Sequence, residues 1–423
     1  HGIRPPSLGS GDAVNRDNSA MNELPRLLII SELVPQSILA GSILLLRLLK
    51  DYPPDKLLVI GAPATAEAEC LTCRYEELNL PLERFNRTRL ARLVRSLRSI
   101  NLLPQLILAS IQQRLQGFQP EVILSVMEVQ PYYHLAYRYA KSHRLPLVLI
   151  VHDIPEVFEP VYPWALQPQR DRNAEIYRYA TQRLCVSPQM RDFLVKRYGI
   201  SGNVLYPNRS EALVCRPLAN VRQLKQPGTL TLGYAGTLAY GYGEQLSRML
   251  PSFRETGTAL RVYSRDRSLG MAPDGVTYGD YAVQPDQTWL RIKQECDGLI
   301  LPYCWSEDNG QQDLYKTHFP SKLTEYLALG MPILIVGPSY ATGVQWGLQN
   351  CDATLVVTEN DPGAWREALN QLKDADTRER LSGGAIVAGD RDFNPVRLRQ
   401  QFLTYLQAAT SSGITSFNVS KNP

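Results

Sequence analysis

Short, unbroken apolar runs recur along this chain of 423 residues, and most are followed by a stretch with helical spacing. Runs at 27–30, 57–60, 122–124, 147–151 and 183–186 alternate with helical patterns at 42–50, 90–100 and 131–142. An unbroken apolar run suits a strand buried on both faces, as in a parallel sheet covered by helices. After about residue 225 the rhythm restarts. Strands are then expected at 230–235, 259–263, 298–302, 332–336 and 354–357, with helices at 243–253, 287–296, 321–329, 362–372 and 377–388. A single hydrophobic core stops growing at roughly 250–300 residues. The pattern therefore predicts two doubly wound α/β domains in tandem.

The polar, irregular segment 1–20 reads as an expression-vector remnant. One domain is assigned to 21–210 and the other to 211–395, joined through the polar stretch 208–228, which carries Pro217 and Pro227. A final helix at 396–410 is expected to pack back across the interface, leaving a frayed tail at 411–423. Two open sheets in tandem display their ligand-binding loops at the carboxyl ends of the strands, facing a cleft.

Charge and cysteine usage exclude several classes. With 45 basic and 41 acidic residues, the net charge of +4 does not suit a dedicated nucleic-acid binder. Seven scattered cysteines do not form a disulfide scaffold, and Cys70-x-x-Cys73 has no second pair at zinc-site spacing, so a reducing compartment is expected. The leucine-rich stretch 27–49 is interrupted by Glu32, Pro35, Gln36 and Gly41, so no membrane-spanning segment is expected and the location is read as cytoplasmic.

The sharpest chemical motif is PSKLTEYLALGMPIL at 320–334. Pro320 sets up a helix start, and Gly330 with Pro332 stops the helix. A helix amino terminus suits a diphosphate, and Lys322 adds a full charge beside it. Ser321 and Glu325 are four residues apart and share one face. A carboxylate there can accept hydrogen bonds from both ribose hydroxyls, each worth roughly 1.5–3 kcal/mol. The alternative reading of this segment is a capped, amphipathic surface helix.

This segment closely resembles the donor-binding stretch of GT-B glycosyltransferases, particularly the retaining family four and its relatives. The resemblance implies two Rossmann-like domains facing a cleft, and a nucleotide-sugar donor, UDP- or GDP-linked, used without a metal. It places Glu325 on the donor ribose and the Ser321-Lys322 turn against the diphosphate; Leu323 is counted with the donor-binding residues and is also expected, with Leu327 and Ala328, to anchor the helix in the core. The strand and loop Leu232-Gly233-Tyr234-Ala235-Gly236-Thr237 resembles the opening of the same family's second domain, with Gly236 and Thr237 near the donor phosphates. Where many members carry an arginine and a lysine, this chain has Thr237 and Tyr242, which leaves Lys322 and Arg265 to neutralise charge. His152, at the end of the run 147–151, matches a family histidine that touches the donor sugar. Asp153 either orients that histidine or helps take the acceptor proton. Gly41 is a partial match to a glycine pair near the diphosphate and acceptor. A second family glutamate is replaced by Thr317, with His318 beside it.

Between 84 and 100, Arg84, Arg87, Arg89, Arg92, Arg95 and Arg98 alternate with leucines in an amphipathic pattern. Two readings compete: a helix packed on its own domain, and one docked on anionic lipid beside a lipid-linked acceptor. The function expected is a glycosyltransferase acting in cell-envelope polysaccharide assembly on a carbohydrate or lipid-linked acceptor. Its rivals are a nucleotide-sugar epimerase on the same plan and a catalytically silent nucleotide-sugar-binding protein.

Overall fold

A computed structural model describes residues 24–412 except 39, 66, 79, 81–87, 100–104, 129, 159–160, 214, 268–275 and 282–284. The segment 1–20, the arginines at 84 and 87, and the tail from 413 onward lie outside the described residues.

The amino-terminal half contains β1 (Leu27–Ser31), α1 (Ala40–Leu48), β2 (Leu57–Gly61), β3 (Arg74–Glu77), α2 (Ala91–Ser99), α3 (Gln105–Leu115), β4 (Val122–Val126), α4 (Tyr132–His143), β5 (Leu147–Val151), α5 (Pro155–Phe158), α6 (Pro163–Tyr179), β6 (Gln182–Cys185), α7 (Pro188–Tyr198) and β7 (Asn203–Val204). Its seven strands form one parallel sheet in the order β3-β2-β1-β4-β5-β6-β7. The carboxyl-terminal half contains β8 (Leu230–Ala235), α8 (Tyr242–Glu255), β9 (Thr258–Tyr263), β10 (Val276–Tyr278), α9 (Pro285–Glu295), β11 (Gly298–Pro302), α10 (Asn309–Thr317), α11 (Ser321–Ala328), β12 (Ile333–Val336), α12 (Thr342–Gln349), β13 (Leu355–Val357), α13 (Pro362–Gln371), α14 (Ala375–Phe393) and α15 (Pro395–Ser412). Its six strands form a second parallel sheet, β10-β9-β8-β11-β12-β13. Each sheet reverses its strand order beside its first strand, so each has a switch point at its carboxyl edge.

The central strands β1, β2, β4, β5, β8 and β11 are buried at every position, which is why their sequences read as unbroken apolar runs. The edge strand β3, Arg-Tyr-Glu-Glu, is only partly covered and was not anticipated. Edge strands β7 and β10 were missed for the same reason, since an edge need not be apolar. Helix starts follow local chemistry. Ser187 accepts a hydrogen bond from the Met190 N–H at 3.0 Å, Pro188 takes the first helical position, and Gly199 ends α7 in the left-handed region.

The last helix leaves the second domain. Leu398, Phe402, Leu406 and Ala409 of α15 are buried in the core beneath the first sheet, against α1, β4, β5 and β6. The helix runs through Ser412, two residues into the stretch expected to fray. Phe402 is wholly inaccessible. Phe402→Ala should therefore remove about 3–5 kcal/mol of stability, read as a lower urea midpoint. An unchanged midpoint would show that α15 is not part of that core.

Candidate active site

On the second domain the site is built around the first turn of α11. Leu323, Tyr326, Leu327 and Ala328 are buried and fix the helix in the core, while Ser321 and Lys322 sit half-buried at its start. Pro320 stands before the first turn in an extended conformation. Leu323 was expected among the donor-binding residues. Its side chain is fully buried and its N–H donates to the Pro320 carbonyl at 2.9 Å, so it anchors the helix.

Lys322 reaches back over β8. Its Nζ donates to the Tyr234 hydroxyl at 2.8 Å and lies 4.0 Å from the Tyr242 ring centre and 4.5 Å from that of Tyr234. Cation–π attraction strengthens when the ammonium is shielded from water. A Cβ at position 236 would stand 3.2 Å from this Nζ, and the φ of Gly236 is +123°, so only glycine leaves room for the lysine here. Burial pushes the Lys322 amine down to about 7. The tyrosine at 242, read from sequence as a lost positive charge, is the surface on which Lys322 rests. Thr237 is exposed and its hydroxyl accepts from the Ala239 N–H at 3.1 Å. Arg265 is exposed beyond β9, its guanidinium 5.8 Å from the Tyr281 ring centre.

Glu325 is almost fully buried at the junction of the two domains. Its Oε1 is 2.7 Å from Nη1 of Arg47 on α1, and its Oε2 accepts from the Ser210 N–H at 3.2 Å. The same Arg47 nitrogen donates to the Asn208 carbonyl at 2.7 Å. A ribose at this carboxylate would have to exchange with at least one of these donors.

The first domain contributes the loops after β4 and β5. His152 and Asp153 leave the end of β5 and are both buried. His152 Nδ1 is 3.1 Å from Asp153 Oδ2, and His318 Nδ1, from the end of α10 in the other domain, is 2.8 Å from Asp153 Oδ1. Burial opposes a charge on His152, but the Asp153 hydrogen bond and the Asp153 and Glu128 carboxylates outweigh it and push the imidazole up to about 9. Burial likewise opposes the Asp153 carboxylate, yet His318 and His152 together hold it well below the usual range. At neutral pH the pair is a histidinium on a carboxylate with both oxygens bonded. That arrangement favours Asp153 as the group that orients His152, over Asp153 as a base.

Glu128, two residues past β4, lies with its Oε2 3.8 Å from His152 Nδ1. Burial pushes this carboxyl up, with Asp153 adding to the effect while His152 and His318 oppose it. Gly41, in the first turn of α1, faces the same group: its Cβ would stand 3.7 Å from Glu128 Oε2 and from His152 Cδ2. The structure thus brings Gly41, His152 and Asp153 together, and Gly236 with Lys322, on the two sides of one junction. Sequence reasoning missed Glu128, Arg47 and the part taken by His318. Inspection of every strand end, β4 included, would have found Glu128.

Ligand-type atoms of Glu128, His152 and Asp153 lie within 4.8 Å of one another, the one grouping of this kind among the described residues. The His152 imidazole already lies against both carboxylates of this group, 3.1 Å from Asp153 Oδ2 and 3.8 Å from Glu128 Oε2. The cysteines at 70 and 73 gather no third ligand among the described residues; Cys70 is exposed, and burial pushes the Cys73 thiol up to about 11.

Two parallel, doubly wound sheets joined in this way define the GT-B fold of glycosyltransferases, as the sequence resemblance implied. Residues 62–207 match the model for Glycosyltransferase Family 4. The fold is shared with HepE of Anabaena, solved with UDP and glucose, at 14% identity, TM-score 0.62, over 90% of this chain and 99% of that one. It is shared equally with sucrose-phosphate synthase of Thermosynechococcus elongatus at 15% identity, TM-score 0.64, over 91% of this chain and 99% of that one. A glycosyltransferase from Rickettsia africae matches at 10% identity, TM-score 0.59, over 91% and 98% of the two chains. No curated protein matches the chain in sequence.

The two shifted cations predict opposite pH effects. His152, raised from 6.5 to about 9, stabilises the fold fully below pH 6.5, and its contribution is lost as pH climbs through 9. Lys322, lowered from 10.5 to about 7, costs stability below pH 7 and ceases to do so as pH rises to 10.5. The slopes oppose each other between pH 7 and 9, so each is read as a variant-minus-wild-type difference in urea midpoint. His152→Gln should remove the fall and Lys322→Met the rise.

Proposed function

We propose that the chain transfers a sugar from a UDP- or GDP-linked donor to a hydroxyl of a carbohydrate or lipid-linked acceptor. The observation that carries this reading is the Lys322 ammonium, held by Tyr234 and Tyr242 at the start of α11, directly against the Gly236 backbone. A helix amino terminus with a shielded cation beside it is a built site for a diphosphate. Ser321 and Lys322 face the phosphates, and Glu325 takes the ribose hydroxyls in exchange for Arg47. Arg265, Thr237 and Gly236 border the nucleotide, and Gly41 closes the floor beneath the sugar.

As the bond from the sugar to the diphosphate breaks, negative charge grows on the leaving oxygen. Lys322 and the helix N–H groups stabilise that charge, and the His152 cation, oriented by Asp153, stands beside the sugar. In this reading those cations replace a divalent metal, so added EDTA leaves the rate unchanged. Transfer takes place on the face that the diphosphate leaves, with the anomeric configuration retained and the acceptor proton passing to a departing phosphate oxygen. The resemblance of the segment 320–334 to the retaining family four supports this choice. Proton NMR of the product anomer tests it.

A role in cell-envelope polysaccharide assembly at the cytoplasmic membrane face fits the surface of α2. Leu90 and Leu93 are exposed close in sequence to the exposed Arg89, and Arg92 lies over the Tyr162 ring at 4.7 Å while bonding the Val161 carbonyl; that ring stacks on the exposed Trp164 at 6.5 Å. No helix among the described residues is long and apolar enough to cross a membrane. Flotation with phosphatidylglycerol vesicles, abolished by salt and absent with neutral vesicles, is the expected result.

A thermal-shift panel of UDP, UDP-glucose and GDP-mannose should single out one donor, since a ligand at a hundred times its Kd adds about 2.7 kcal/mol of stability. Glu325→Ala should abolish that shift, and retention of the full shift would sink the ribose assignment. Above pH 7, binding should take up a proton at Lys322, seen as a buffer-dependent calorimetric enthalpy that Lys322→Met removes.

A further inference from the structure

Glu128 is the cleft carboxylate with an oxygen left to offer. The backbone of its neighbour Met127 is pinned to the sheet, its N–H donating to the Ile150 carbonyl at 2.8 Å, so Glu128 emerges at the carboxyl edge beside β5. Its Oε2 is buried without a hydrogen-bond partner. The nearest cation, His152 Nδ1, is 3.8 Å away and already bonded to Asp153 at 3.1 Å. A contact of that length is an ion pair and not a hydrogen bond. Buried carboxylate oxygens are nearly always hydrogen-bonded, so one left bare beside a cleft calls for an occupant.

The other acidic groups here are spent. Asp153 gives one oxygen to each histidine, and Glu325 gives one to Arg47 and one to the Ser210 N–H. Position 317, where a carboxylate could have faced the cleft from the second domain, is a buried threonine whose hydroxyl donates to the Asp313 carbonyl at 2.7 Å. Gly41 lets the chain of α1 pass close by Glu128: a Cβ there would stand 3.7 Å from Glu128 Oε2 and would collide with Leu33 Cδ1 at 2.4 Å.

We propose that Glu128 binds a sugar hydroxyl, its Oε2 accepting a hydrogen bond from the saccharide lodged between the domains. This rests on reading the cleft as a sugar-transfer site. The hydroxyl belongs either to the sugar of the donor or to the acceptor; the chemistry at Glu128 is the same, and separate measurements distinguish the two. A hydroxyl on a charged partner is worth about tenfold to a hundredfold in binding. Glu128→Gln keeps the shape but makes a weaker acceptor, while Glu128→Asp keeps the charge and draws it back by one methylene.

The test uses the full chain with UDP, UDP-glucose and, as acceptor probe, octyl glucoside. If the hydroxyl is the donor's, Glu128→Gln leaves the Kd for UDP unchanged and weakens UDP-glucose at least tenfold. If it is the acceptor's, both Kd values hold, the KM for octyl glucoside rises at least tenfold, and Glu128→Asp falls between. Either result supports the proposal. Unchanged values throughout overturn it, as does an equal loss for UDP and UDP-glucose, which marks a merely structural residue. Wild-type protein that binds neither UDP nor UDP-glucose, nor any donor of the panel, overturns the transferase reading itself, and Glu128 falls with it.

Discussion

Asp153 accepts one imidazole from each domain, and the closed junction is organised around that carboxylate. Burying a lone carboxylate is costly; burying one between two imidazoles is not, provided that they carry enough protons. His318 reaches Asp153 only while the two sheets face each other as they do here. Separation of the domains would leave Asp153 with His152 alone. Domain approach and the bonding of this carboxylate are therefore linked, since both its oxygens are occupied only while the halves meet as they do here.

The architecture was legible in the sequence because strands buried on both faces leave unbroken apolar runs, as in β1, β5 and β11. Polar edge strands such as β3 leave no such trace. The α11 motif was legible too, because Pro320, Lys322 and the glycine stop encode a local shape. What could not be read were contacts that depend on tertiary approach. Nothing near Arg47 in the chain indicates that it meets Glu325, and nothing near Tyr242 shows that its ring carries the Lys322 ammonium. Thr237 and Tyr242 looked like missing charge because a linear pattern counts charges by position, whereas the folded chain supplies them from wherever a side chain can reach.

The pairing of Arg47 with Glu325 makes the carboxylate proposed for the ribose a domain contact as well. If a ligand takes this acid, it competes with the inter-domain contact, since Arg47 and the ligand would displace one another. Lys322 is poised in the same manner. Shielded by tyrosines, its ammonium is only marginally stable without an anion, so the diphosphate proposed for this site would complete its charge as well as its contacts.

The polypeptide passes between the sheets twice, once between β7 and β8 and again where α14 gives way to α15, which lies beneath the first sheet. A body held by one strap can swivel freely, whereas one held by two is confined to bending about the line that joins them. The carboxyl-terminal helix thereby acts as the second pin of a door hinge. Two crossings leave the halves fewer ways to shift than one would, and His318 meets Asp153 in the arrangement they hold.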